Sequence, residues 1–110
     1  MSEAVKKSRR AVLEEFLASH PKDGFARYGL AMECVSQGDS DAAIANFQAL
    51  LADHPDYVSG YFQYGQFLAR RSSFPEARRI LTQGIETARR NGDHHAASEM
   101  EAALSQLPPS

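Results

Sequence analysis

A chain of 110 residues has room for one modest hydrophobic core but not for two ordinary domains. Its 43% apolar and 24% charged residues, with a formal net charge of −2, describe an ordinary folded chain and provide no global attraction to nucleic acid or an anionic membrane. The lone cysteine, Cys34, excludes an internal disulfide, the charged start lacks a secretory h-region, and nothing approaches the roughly 18 consecutive apolar residues of a membrane span, so a cytoplasmic protein is expected.

The first apolar stripe, Val5, Val12-Leu13 and Phe16-Leu17, has helical spacing and ends before Pro21. A second helix is expected over Phe25–Gln37, free of internal proline and stopped by Gly38. A third covers Ala42–Asp53. Asp39, Ser40 and Asp41 offer it an N-cap and favourable negative charge, and Pro55 closes it. The fourth spans Val58–Arg71. The fifth begins within "SSFPEAR", where Ser73 and Glu76 have capping-box spacing and Pro75 falls in the first turn, and it runs to Asn91-Gly92. A last helix over Asp93–Gln106 aligns Ala97, Met100, Leu104 and Leu107 before the closing prolines. No segment carries a strand signal, so the prediction is an all-α chain of about six short helices.

These elements repeat. His20-Pro21 and His54-Pro55 lie 34 residues apart, and "SRRAVLEEFLASHP" (Ser8–Pro21) overlays "AAIANFQALLADHP" (Ala42–Pro55) in side-chain size. Downstream, Leu30-Ala31 falls on Tyr64-Gly65, Cys34 on Leu68, Ala43 on Ala77 and Phe47 on Leu81.

The stretch "GDSDAAIANFQALLADHP" (Gly38–Pro55) resembles the second helix of a tetratricopeptide repeat (TPR). In that register Leu30, Ala31, Ala43, Phe47 and Pro55 take the leucine, small, small, aromatic and proline slots of one unit. Tyr61, Tyr64, Gly65, Ala77 and Leu81 follow in the next. The resemblance implies a right-handed α-solenoid of antiparallel helix pairs in a single domain over 1–110. Residues 1–23 would be half a repeat, 24–57 and 58–91 two full repeats, and 92–110 a capping helix and tail. Departures from the family pattern are Arg27 in the tryptophan slot, the large Leu50, the small Gly84, and Arg89 in place of a second closing proline. Close helix approach is expected at Ala31 against Ala43 and at Gly65 against Ala77. The first and last helices are expected to cap the stack.

No catalytic constellation is present: no G-x-S-x-G, no Gly-rich phosphate loop, no H-E-x-x-H. Neither an enzyme nor a cofactor or metal site is expected. His20 and His54 are a repeat apart, too far to share an ion, and read as turn residues. His95 and Glu99 have i, i+4 spacing with His94 adjacent, but a structural zinc site takes four ligands and Cys34 lies far away in sequence. Cys34 shares a stripe with Leu30 and Ala31 and reads as a small buried hydrophobe. Residues 70–90 hold six arginines against Glu76 and Glu86, a local +4, whereas Glu33–Asp56 is a local −5. The arginines lack interleaved aromatics, which disfavours nucleic acid.

A second apolar stripe is left over after this packing. On the second helix it is Phe25, Tyr28, Met32 and Val35. On the fourth, the equivalent region holds Phe62, Gln66 and Ala69 beside Arg70. The resemblance implies that such positions line a concave groove. They lack the Lys, Arg and Asn pattern of a carboxylate clamp. A non-catalytic module that binds a peptide or helix of another protein is therefore expected, the alternative being self-association as a homo-oligomer.

Overall fold

In a computed structural model, residues 7–109 are described; Val5, the first position of the predicted stripe, lies outside them. Six α-helices follow in order: α1 (Arg9–Ser19), α2 (Gly24–Ser36), α3 (Ser40–Asp53), α4 (Val58–Arg70), α5 (Phe74–Arg90) and α6 (His94–Ser105). No strand occurs among the described residues. The chain forms two compact units, one up to Ala49 and one from Leu50 onward, with α3 running through the division.

In the first unit α1 packs along α2. Arg10 ties the two together, donating to the Asp39 carboxylate at 2.9 Å, to Gln37 at 3.0 Å and to Glu14 at 3.2 Å. Asp39 also caps α3 by accepting the Ala42 N–H, as its position predicted. Arg10, and then that N–H, hold the Asp39 carboxyl below its ordinary range. Cys34 is fully buried, as expected, and burial pushes its thiol pKa up. Ala31, Ala43 and Phe47 are fully buried with it.

The second unit packs α4 on α5 and α5 on α6, with α6 also reaching α4. The close approach at Gly65 is real, but its partner differs from the predicted Ala77. A Cβ there would lie 2.6 Å from Cδ2 and 2.7 Å from Cγ of Leu81. Gly84, read from sequence only as an undersized residue, leaves room for Met100 of α6 and for Tyr61 Cβ. A third helix is thereby admitted where the repeat pattern considers only two.

The His-Pro turns carry a device that recurs with the repeat. In the first unit Arg27 donates to the Pro21 carbonyl at 3.1 Å. In the second, Tyr61 Oη donates to the Pro55 carbonyl at 2.8 Å. Donor and acceptor are both displaced by 34 residues. Arg27 therefore serves its slot by a hydrogen bond like Tyr61's, and it adds a 3.0 Å bond to Asn46. The cost is its own Nε, buried without a partner.

Helix ends recur likewise. At the end of α2, Gly38 (φ 73°) donates to the Val35 carbonyl and Asp39 N–H donates to that of Cys34. At the end of α4, Ser72 (φ 61°) donates to Ala69 and Ser73 N–H donates to Leu68. Both are Schellman closures, and Ser72 holds the left-handed conformation that glycine holds 34 residues earlier. Gly92 (φ 75°) closes α5, as expected. α5 runs 17 residues against 14 for α3, with Arg89 standing where Pro55 follows the earlier helix.

Two expectations need correction. Ser73 is the N-cap of α5 by position, but its side chain makes no capping bond. Pro75 at the second helical position removes one of the two N–H groups that such a cap serves, and Glu76 pairs with Arg79 instead. The helices at the two ends also differ as caps. On α6 the slots of Tyr61, Tyr64, Gly65 and Leu68 become His95, Ser98, Glu99 and Ala102, all exposed, with His95 and Glu99 paired at 3.5 Å. That is a polar outer face of the kind that ends a stack. α1, expected to cap in the same way, instead leaves Val12 (52%) and Phe16 (42%) exposed, with His20 stacked on Phe16 at 4.3 Å.

Candidate functional site

Two faces of α2 and two of α4 have separate fates. On α2 the packing stripe Leu30, Ala31 and Cys34 is buried, and on α4 so are Tyr61, Tyr64, Gly65 and Leu68. None of the eight predicted contact positions is. Tyr28, Met32 and Val35 on α2, and Phe62, Gln66 and Ala69 on α4, are half-buried; Phe25 and Arg70 are exposed.

The α2 patch begins at a well-fixed helix start. Asp23 accepts the Ala26 N–H at 2.8 Å, which places Phe25 in the first turn with 78% of its surface exposed. Tyr28, Met32 and Val35 follow at 3, 4 and 3 spacing along the same helix face.

On α4 the structure brings three of the four predicted residues, Gln66, Ala69 and Arg70, to the edge of a cleft of about 340 Å³. Phe62 lies outside its lining. The remaining walls come from Phe74 and Leu81 of α5 and from Ala103, Gln106, Leu107 and Pro108 at and just past the end of α6. Arg78 fixes the far wall, donating to the Pro108 carbonyl at 2.7 Å. Sequence reasoning missed these walls. The stripe that continues through Leu104 to Leu107 was the available signal, but nothing local says which helix it meets.

Among the described residues no three His, Cys, Asp or Glu side chains converge as a metal site, and no helix is long and apolar enough to cross a membrane. The arginine-rich stretch is partly neutralised by pairing: Arg79 with Glu76, and Arg89 with Glu101.

Helix pairs in a 34-residue register, with recurrent turns and caps, define an all-α helical-repeat protein. The tetratricopeptide repeat model matches residues 28–93. The chain belongs to the tetratricopeptide repeat family. A TPR repeat-containing protein of Pseudomonas aeruginosa is 30% identical over 95 residues, covering 86% of this chain and 90% of that protein. A tetratricopeptide repeat domain protein of Salinibacter ruber, known in solution, is 34% identical with a TM-score of 0.75, over 79% of this chain and 88% of its own. A Bordetella parapertussis protein reaches a TM-score of 0.79 at 24% identity, over 93% and 89%, a likeness of fold. Proteins of this family are generally non-catalytic scaffolds for protein–protein interaction.

Proposed function

We propose that this chain is a non-catalytic binding module that takes a peptide or helix of a partner protein on the first-helix positions of its repeats: Phe25, Tyr28, Met32 and Val35 on α2, and Phe62, Gln66, Ala69 and Arg70 on α4. The observation that supports this reading is the division of each helix into a buried stripe and a solvent-reachable one. A helix in a small protein that keeps Tyr, Phe and Met reachable beside a completed packing face has surface to offer a partner. A pull-down tests it, comparing the native chain with a Tyr28→Ala/Phe62→Ala variant of unchanged helicity. Loss of the native prey supports the reading, and unchanged capture removes these residues from it.

A second reading, self-association, is favoured by exposed Val12 and Phe16 on α1. Sedimentation over a concentration series tests it: a dimer lost in Val12→Ser/Phe16→Ser supports it, and a concentration-independent monomer ends it.

A further inference from the structure

The cleft beside the end of α4 carries the partner's chemistry further, on the basis of the proposed binding role. Its lining is mainly apolar, with Gln66 and Gln106 the polar members besides Arg70. Ala69, Phe74 and the fully buried Leu81 form one side, and Ala103 and Leu107 the other. Arg70 is exposed at its edge, and among the described residues it has neither an ion pair nor a hydrogen bond. Its neighbours are engaged: Arg71 lies 5.6 Å from the Phe67 ring centroid, Arg78 donates to Pro108, and Arg79 pairs with Glu76. By sequence, residues 70–90 carry a local charge of +4, offset in part by the pairing of Arg89 with Glu101.

A cleft of about 340 Å³ is at the small end of ligand pockets and suits a side chain or two. An unpaired guanidinium next to an apolar hollow complements an apolar group with a carboxylate close by. Phe74 sits half-buried in the lining, so it offers no open platform for stacking a base. We infer that the cleft docks an acidic amphipathic segment of a partner protein. One large apolar side chain of that segment enters between Phe74 and Leu107, and an Asp or Glu beside it pairs with Arg70. The surrounding arginines attract the segment at longer range.

The test is an NMR titration of the isotope-labelled full chain with a synthetic helical peptide carrying leucine and glutamates on one face. A control peptide has glutamine for each glutamate. The acidic peptide should shift the Ala69, Arg70, Ala103 and Leu107 resonances and bind about tenfold more tightly than the control, the scale of one charge-assisted hydrogen bond. Added salt should reduce that margin, and Arg70→Gln should remove it, while Arg90→Gln leaves it intact. Equal binding of the two peptides, shifts mapping away from the cleft, or no binding by either overturns the inference. The two readings separate cleanly. If native prey is lost in Tyr28→Ala/Phe62→Ala but retained in Arg70→Gln and indifferent to the acidic peptide, the binding role stands and this inference falls. If the acidic peptide binds here while prey capture ignores Tyr28 and Phe62, the cleft stands and those residues fall.

Discussion

Replacing Gly65 by alanine tests the packing of α4 on α5 with a single methyl group. That methyl would sit 2.6 Å from Leu81 Cδ2 and 2.7 Å from Cγ. Carbon atoms rest at about 3.5–4.0 Å, so relief requires movement of about 1 Å. Leu81 is fully buried, with the cleft on one side of it, so relief takes a rotamer change towards that space or a separation of the helices. Overpacking of this kind costs about 1–3 kcal/mol, and alanine's better helix propensity returns about 1 kcal/mol. The net change therefore lies between about zero and a loss of about 2 kcal/mol, a fall in Tm of up to about 10 °C. Gly29→Ala is the internal control. There the methyl would meet Leu13 at 3.5 Å, an ordinary contact, and a gain of about 0.5–1 kcal/mol is expected. Thermal and urea melts followed by circular dichroism measure both. Leu81→Ala, costly alone, should cost less in the Gly65→Ala background, because the new methyl fills part of the space. A Gly65→Ala protein more stable than wild type, as expected for Gly29→Ala, or additive behaviour in that cycle, would refute the close approach.

Ser72→Gly should raise stability by about 0.5–1 kcal/mol, since an exposed L-residue is held at φ 61° where its repeat counterpart is glycine; an unchanged or lowered urea midpoint counts against this strain. Tyr61→Phe removes the bond to the Pro55 carbonyl and should cost about 0.5–1.5 kcal/mol, read from the same melts, with no loss meaning that the tether contributes nothing. Asp39 has a lowered pKa, so its charge adds stability fully above about pH 4, and this is lost as pH falls through the lowered value. Asp39→Asn should therefore be less stable than wild type at neutral pH, with the gap closing on acidification; a gap that survives at low pH would assign the loss to the cap alone.

The helices were legible because their punctuation is local. Asp39, Pro75 and Gly92 act within one turn of the residues they terminate, so propensity and capping chemistry placed α2 to α6 to within two residues or so. The repeat was legible because packing preserves side-chain size at fixed offsets, and the pairing of Pro21 with Pro55 exposed the period. The eight contact positions were legible only as a surplus of apolar surface. Whether such a surplus is reachable depends on what other helices do, and the half-burial of Tyr28 and Phe62 could not be read from their own neighbourhood. Ser73 shows the limit at short range: its spacing to Glu76 matched a capping box, yet Pro75 lacks an N–H and Arg79 competes for the glutamate.

The sequence by itself determined an all-α repeat of six helices, the 34-residue register and the burial of Cys34, since each follows from periodicity and backbone chemistry within a few turns. Tertiary structure decided that Gly65 meets Leu81, that Gly84 admits Met100, and that the end of α6 walls a cleft beside Arg70. Those outcomes depend on shape matching between residues distant in the chain. A small residue announces that something approaches, but only the packed helices determine what fills the space.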